Sequence, residues 1–115
     1  GGTAPAFLVS FEVRKPEGVL GLLELGPLRS TQRVVWGRSP DCDVVAEHGS
    51  ISRQHAAVSV DRSGAVFVTD LQSGHGTKVG DMWIKPNAPR QLQPGQAVSL
   101  GASTRSYKLL AVERA

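Results

Sequence analysis

The feature that most constrains this fold is the frequent interruption of short apolar runs by glycine and proline. The 115-residue chain contains 13 glycines and 7 prolines. Residues 7–13 alternate apolar and polar, and the runs 56–60 and 65–70 flank residues 61–64, a strong hairpin signal. Many strands joined by turns explain this pattern better than a few long helices.

About ten or eleven such runs follow one another, which predicts one all-β domain, a β-sandwich of about eleven short strands. The second run is expected to stop at Gly26-Pro27, and the last has a partly helical pattern. We expect the folded domain to span residues 7–112, with a flexible tail or cloning remnant over 1–6 and a short tail over 113–115. The predicted strands cover residues 7–13, 19–25, 31–36, 44–45, 56–60, 65–70, 78–79, 82–84, 90–92, 97–100 and 106–112.

Charge and composition exclude several classes of protein. The net charge is +3 and the pI is about 9.5, but the basic residues are scattered and form no run typical of a nucleic-acid-binding tail. Cys42 is the only cysteine, which excludes an intramolecular disulfide and indicates a reducing, intracellular compartment. No stretch approaches the roughly 20 apolar residues of a membrane span, and no secretory signal is present. The residues also predict no metal site and no cofactor.

Four segments at the ends of strand-like runs share one chemical theme. Each combines arginine, hydroxyl or glycine backbone groups, and none offers a paired carboxylate or a metal cluster. Loops rich in cations and hydrogen-bond donors, held by a rigid β scaffold, are suited to binding an anion. The segments cover residues 37–38, 50–55, 70–77 and 101–105.

Individually these segments admit plainer interpretations. Arg38 can hold two phosphate oxygens with its planar fork, although a lone Gly-Arg is also common on protein surfaces. Ser52 and Arg53 can reach one anion while His55 fastens the loop through its ring nitrogens. The glycines around His75 can expose backbone N–H groups, or can simply form a hairpin connection.

A catalytic interpretation is weaker. Ser52 as nucleophile, His55 as base and Asp70 as orienting group would form a triad on paper. No nucleophile elbow or oxyanion pattern accompanies them, so we do not expect an enzyme.

The ordered set is more specific than its parts. Gly37-Arg38, Ser52-Arg53-x-His55 and Asp70-x-x-Ser73-x-x-Gly76-Thr77 resemble the signature of the forkhead-associated (FHA) domain in order and spacing. The resemblance covers roughly residues 7–112. It implies an FHA-type β-sandwich of eleven strands whose apical loops bind phosphothreonine peptides, a mode of recognition that relies on charge-assisted contacts to phosphate.

The resemblance also implies roles for individual residues. It places the phosphate-binding group at Arg38, Ser52, Arg53 and Gly74. Peptide contacts are expected at Ser50, His75 and Arg105, and structural support of the loops at Gly37, His55, Gly76 and Thr77. The family prefers phosphothreonine because the extra methyl packs into a small pocket near the loop of residues 73–77.

Two positions depart from the family pattern. The family usually has Thr where this chain has Gly74, and Asn where it has His75. The string Ser-x-His-Gly-Thr and the downstream segment 101–107 are similar to the FHA domains of the nuclear inhibitor of type-one protein phosphatase and of kanadaptin. That subgroup implies a nuclear or nucleo-cytoplasmic protein of signalling and RNA splicing whose partners carry phosphorylated Thr-Pro motifs.

Three functions remain open at this stage. The first is a phosphothreonine-dependent peptide-binding module, monomeric and part of a larger nuclear regulatory or RNA-processing protein. The second is a phosphate-independent scaffold of the same fold, which the absent side chain of Gly74 favours. The third, nucleic-acid binding, is suggested by the pI, but the chain lacks interleaved aromatic residues for base stacking, so no direct contact with nucleic acid or membrane is expected.

Overall fold

The computed structural model describes residues 4–115, and this part of the chain folds into a two-layered β-sandwich without helix. No segment of it is therefore a helix that could cross a membrane. The strands are β1 (Ala6–Lys15), β2 (Gly18–Arg29), β3 (Arg33–Gly37), β4 (Val44–Val45), β5 (Ala56–Val60), β6 (Val66–Asp70), β7 (Thr77–Val79), β8 (Met82–Trp83), β9 (Arg90–Leu92), β10 (Ala97–Leu100) and β11 (Ser106–Arg114).

The predicted all-β sandwich is confirmed, down to the number of strands. One sheet has the order β2-β1-β11-β10-β7-β8 and the other β4-β3-β5-β6-β9. The hairpin predicted around residues 61–64 joins β5 to β6 in antiparallel register, with Val60 opposite Val66. Because most neighbours in each sheet are antiparallel, the connecting loops gather at the two ends of the sandwich.

Several strand limits differ from the sequence expectation, most of all in β1, β2 and β11. The predicted stop at Gly26-Pro27 is wrong, because β2 continues through both residues to Arg29 while its register against β1 shifts between Phe7 and Val9. The last run is a strand and not a helix; it pairs with both β1 and β10, and its register against β1 shifts between Ser10 and Phe11. Strand β1 already begins at Ala6, and β11 continues to Arg114, so both enter the segments expected to be tails; residues 1–3 lie outside the described part of the chain.

An aromatic cluster joins the two sheets. Trp36 of β3 is fully buried and meets Phe11 and Tyr107 of the opposite sheet edge-on, with ring centroids 5.3 and 4.6 Å apart. Burying a side chain of this size contributes about 4–6 kcal/mol of transfer free energy. The cluster lies directly before Gly37, so the loop that follows β3 starts from a rigid base.

Strand alternation explains why polar residues are buried at one end of the sandwich. Val66 and Val68 point inward from β6, and Asp70, two residues further along at the last position of the strand, points inward as well. Thr77 occupies the same kind of position at the start of β7, opposite Leu100 of β10. Both side chains are essentially inaccessible to solvent. The fold therefore places a carboxylate and a hydroxyl beneath the loop that connects them.

Candidate functional site

The loop after β3 and the loop after β4 are fastened to each other around Arg38. The Arg38 backbone N–H donates to Ser52 O at 3.0 Å, and its Nε donates to Ile51 O, also at 3.0 Å. This leaves the terminal guanidinium nitrogens at an exposed position. Gly37 permits the approach, because a Cβ there would overlap the Arg53 carbonyl oxygen. Gly37 therefore lets the backbone before the arginine pass close to residue 53.

Ser52 connects this pair of loops to the loop after β6. Its Oγ accepts a hydrogen bond from the Gly74 N–H at 3.0 Å and keeps its own proton available for a further acceptor. Arg53 is exposed, and its carbonyl accepts from Ser39 N at 3.1 Å and from Cys42 Sγ at 3.0 Å. Cys42 is thus a half-exposed donor, and burial raises the pKa of its thiol.

His55 is a buried brace between two loops. Its Nδ1 accepts from the Ser52 N–H at 3.0 Å, so the ring proton lies on Nε2, which donates to Gly76 O at 2.7 Å. Burial lowers the pKa of His55, and the neutral tautomer fits both partners. The Gly76 carbonyl also accepts from Gly101 N at 2.8 Å, which brings in the loop after β10. One carbonyl therefore joins three loops.

Asp70 organises the loop after β6 from below. Its carboxylate accepts from Ser73 N at 3.1 Å, from Ser73 Oγ at 2.5 Å and from Thr77 Oγ1 at 2.6 Å. Ser73 Oγ in turn accepts from Gly76 N at 2.9 Å. From the sequence, Asp70 is part of the FHA-like signature, and the one role named for it is that of orienting group in a hypothetical triad. In the structure its carboxylate supports the loop. The signal in the sequence that could have revealed this role is the alternation of β6, in which residues 66, 68 and 70 share the inward-facing side of the strand.

The same contacts argue against the catalytic triad. Ser52 Oγ bonds to Gly74, and His55 contacts the backbone of Ser52 and Gly76. Asp70 bonds to Ser73 and Thr77. Within residues 4–115 there is therefore no hydrogen-bonded relay from serine to histidine to aspartate.

Two recesses flank the loop after β10, and each holds one of the expected peptide-contacting residues. Arg105 lies in a recess of about 360 Å³, whereas His75 lies in one of about 590 Å³ together with Lys78 and Trp83. Ser50 lies between the loops: its Oγ accepts from Ala102 N and bonds to His48 Nδ1, both at 2.8 Å.

The predicted site residues therefore fall into two groups. A hydrogen-bonded network brings Arg38, Ser52, His55, Gly74 and Gly76 together, with Thr77 beneath them. Arg53, His75 and Arg105 lie at or near the rim, and none of them has a carboxylate within 4.0 Å in the part of the chain described, where Arg14–Glu12 is the single ion pair. A cationic rim over donor groups that are already held in place is suited to binding an anion.

Comparison with known proteins agrees with this geometry. The family model of the FHA domain matches residues 34–101. The chain is 40% identical over 105 residues to the Arabidopsis thaliana protein named Protein phosphatase 1 regulatory inhibitor subunit PPP1R8 homolog, covering 90% of this chain. It is 44% identical over 77 residues to the Homo sapiens Nuclear inhibitor of protein phosphatase 1, covering 65% of this chain, and 33% identical over 110 residues to Homo sapiens Kanadaptin, covering 87%.

The chain spans only 27%, 22% and 14% of the length of these three relatives. Among solved structures, the FHA domain of CT664 from Chlamydia trachomatis is 28% identical, with a TM-score of 0.73 over 92% of this chain and 97% of that one. The N-terminal FHA domain of S. cerevisiae Rad53p, solved with a phosphothreonine peptide, is 18% identical, with a TM-score of 0.71 over 93% and 94%.

Proposed function

The chain belongs to the FHA-domain family, and from this premise we propose that it is a non-enzymatic module that binds phosphothreonine-containing segments of other proteins. The observation that carries the proposal is the junction of Arg38, Ser52 and Gly74. The guanidinium is fixed through Nε while its terminal nitrogens stay exposed, and the Ser52 hydroxyl lies at the same junction with a proton to donate. Groups held in this way lose little conformational entropy when they bind a phosphate.

The roles of the individual residues follow from this junction. Arg38 and Ser52 bind the phosphate directly, and Arg53 adds a cation at the rim. Gly74 donates its N–H to Ser52 Oγ, so it holds the hydroxyl in place and reaches the phosphate only if that bond is exchanged. Ser50, His75 and Arg105 contact the residues that flank the phosphothreonine. His55, Gly37, Gly76 and Thr77 keep the loops in register.

The decisive experiment compares Arg38→Ala with Arg62→Ala in isothermal titration calorimetry against a phosphothreonine peptide and its unphosphorylated form. Each charge-assisted contact is worth about 1.5–3 kcal/mol, so loss of a two-pronged contact should weaken binding on the order of 100-fold or more. Arg62 is exposed in the turn between β5 and β6, at the other end of β6, and its removal should leave affinity unchanged.

A more conservative variant sharpens the assignment. Arg38→Lys keeps the charge but loses the fork and the Nε bond to Ile51 O, so its affinity should fall between those of the native protein and Arg38→Ala. Circular dichroism should show that all three variants are folded. Equal affinity for phosphorylated and unphosphorylated peptides would instead support a phosphate-independent scaffold.

The larger setting is also part of the proposal. The relatives include a protein named as a nuclear inhibitor of protein phosphatase 1, and one structural neighbour is the yeast Pml1 splicing factor. On this basis we place the module, as a monomeric unit, in a nuclear protein that regulates signalling or RNA processing, with phosphorylated Thr-Pro segments as partners. A phosphothreonine peptide library with proline fixed or varied after the phosphothreonine tests that preference.

A further inference from the structure

A second group of cations converges beside the phosphate-binding junction. The recess of about 360 Å³ that contains Arg105 also contains Lys15, which is the last residue of β1. Both side chains are half-buried. We call it the Lys15–Arg105 recess; besides these two residues it is lined by residues 45–48, 51, 103 and 104. The end of β1, the end of β4 with the loop that follows it, and the loop after β10 thus contribute to one concave surface.

The groups in this recess are donors that lack an anionic partner. Neither Lys15 nor Arg105 has a carboxylate within 4.0 Å among residues 4–115, and Glu47 is the one acidic residue in the lining. Ser103 Oγ accepts from Arg105 N at 3.2 Å, so its hydroxyl proton remains available. The lining is therefore positive on balance and rich in donors.

His48 adds a further donor whose tautomer is set by its neighbours. Its Nδ1 accepts from Ser50 N at 3.1 Å and contacts Ser50 Oγ at 2.8 Å. Nδ1 therefore acts as an acceptor from the backbone, which leaves the N–H on Nε2 as a donor.

The recess adjoins the phosphate-binding junction at Ile51. Ile51 belongs to the lining of the recess, and its carbonyl oxygen accepts the hydrogen bond from Arg38 Nε. Ser52 is the next residue of the chain. An extended peptide advances about 3.3 Å per residue, so side chains a few positions apart can reach both places. This adjacency is the reason to consider one short peptide that contacts the junction and the recess together.

Resting on the proposed function, we propose that the Lys15–Arg105 recess is a second anion subsite, which takes a second phosphorylated residue of the same peptide. The module then distinguishes doubly phosphorylated segments from singly phosphorylated ones. The gain in affinity comes from linking two anionic groups on one chain, since the second contact forms at high effective concentration.

The test is a calorimetric series of peptides that carry one phosphothreonine and a phosphoserine placed two to six residues before or after it. One spacing should bind at least tenfold more tightly than the singly phosphorylated peptide. In Lys15→Glu this gain should fall to less than threefold, whereas affinity for the singly phosphorylated peptide should change less than twofold. Arg62→Glu makes the same change in net charge far from the recess and should retain the full gain.

Two results would overturn the subsite: no spacing that improves binding, or equal losses in Lys15→Glu and Arg62→Glu. A peptide with glutamate in place of phosphoserine shows whether a carboxylate is sufficient. A gain in affinity that is smaller than that of phosphoserine and is abolished by Lys15→Glu supports the phosphate subsite. A gain equal to that of phosphoserine would contradict it and assign the recess to acidic residues.

A separate arm distinguishes failure of this inference from failure of the proposed function. Inorganic phosphate is titrated into Arg38→Ala while amide resonances are followed by NMR. Saturable shifts at Lys15 and Ser103 that disappear in the Arg38→Ala, Lys15→Glu double variant support the recess even if no phosphothreonine peptide binds. Absence of such shifts contradicts it.

Discussion

Two aspartates near opposite ends of β6 use the same local chemistry and have different consequences. Asp61 accepts from Ser63 N at 2.8 Å, Ser63 Oγ at 2.6 Å and Ala65 N at 3.0 Å, all within four residues. Asp70 likewise accepts from the N–H and Oγ of a nearby serine, but it also bonds to Thr77 at the start of the next strand and is fully buried.

The two aspartates differ in how far their hydrogen bonds extend. The side-chain hydrogen bonds of Asp61 stay within residues 61–65 and stabilise that turn alone. The Asp70 loop is tied through the Gly76 carbonyl to His55 and Gly101, so its conformation is shared with the loops that follow β4 and β10. Satisfied polar networks that are buried in this way hold a single arrangement, because every alternative leaves a donor or acceptor without a partner.

The largest expected difference is between Asp70→Ala and Asp61→Ala. Removing the Asp70 carboxylate leaves the hydroxyls of Ser73 and Thr77 without their acceptor, which should cost about 3 kcal/mol of unfolding free energy. Asp61 is at the surface, where water replaces its contacts, so its loss should be far smaller. Urea denaturation measures both, and calorimetry should show weakened phosphopeptide binding for Asp70→Ala alone. Equal losses would mean that the two turns are equivalent.

A second, smaller difference lies within the Asp70 loop, between its two glycines. Gly76 has φ of +85°, and a Cβ there would come within 2.9 Å of the Trp83 ring, so Gly76→Ala should cost about 1–3 kcal/mol. Gly74 has no positive φ, and its nearest neighbour would be Ser52 Oγ at 3.9 Å. Gly74→Ala should therefore preserve stability or raise it by about 0.4–1 kcal/mol.

Gly74→Thr extends this comparison to affinity. The space beside Ser52 accepts a side chain, and the added hydroxyl can donate to a phosphate. We expect an unchanged urea midpoint and a few-fold tighter phosphothreonine binding by calorimetry. A midpoint as low as that of Gly76→Ala would show that the loop does not accept a side chain at this position.

The smallest expected difference is in pH dependence. Burial lowers the pKa of His55 below its ordinary value of 6.5, so the unfolded chain takes up a proton first and stability falls as the pH drops below 6.5. Hydrogen bonds from Ser63 lower the pKa of Asp61 below 3.8, so its contribution is lost only in stronger acid. Urea denaturation at pH 7.5 and 5.5 should show a decrease that His55→Gln reduces.

Amide exchange can locate that loss. The Ser52 N–H, which donates to His55 Nδ1, should lose protection between pH 7.5 and 5.5 relative to its intrinsic exchange rate. The Ala65 N–H, held by Asp61, should keep its protection. Parallel behaviour of the two amides would contradict the assignment of the effect to His55.

Much of this fold could be predicted from the sequence, because strands and hairpins depend on local patterns. The alternation in β1 and β6 and the turn at residues 61–64 determine strands without reference to the rest of the chain. The extension of β2 through Gly26-Pro27 could not be predicted, since it depends on pairing with β1 across a shift in register. The strand order of the two sheets depends on such non-local pairing as well.

The residues of the candidate site also divide into those that a local motif predicts and those that depend on contacts between distant segments. Gly37, Ser52 and His55 could be selected because they form an ordered motif, and the hydrogen bonds of the His55 ring join Ser52 and Gly76, which the motif already contains. The supporting role of Asp70 needed the burial of β6, and the Lys15–Arg105 recess needed three segments far apart in sequence to meet. Lys15 carries no local signal, since a lysine at the end of a strand is ordinary.

The two tryptophans lie in different environments and can be distinguished by fluorescence. Trp36 is sealed in the core between Phe11 and Tyr107, whereas Trp83 is 54% exposed, with its ring against Gly76 and Lys78 Nζ 4.7 Å from its centroid. An iodide quencher reaches the second indole and not the first. The fluorescence of the native protein thus contains two separate signals without any label: emission from Trp36 reports whether the sandwich is folded, and quenching of Trp83 reports whether the neighbouring loop is occupied.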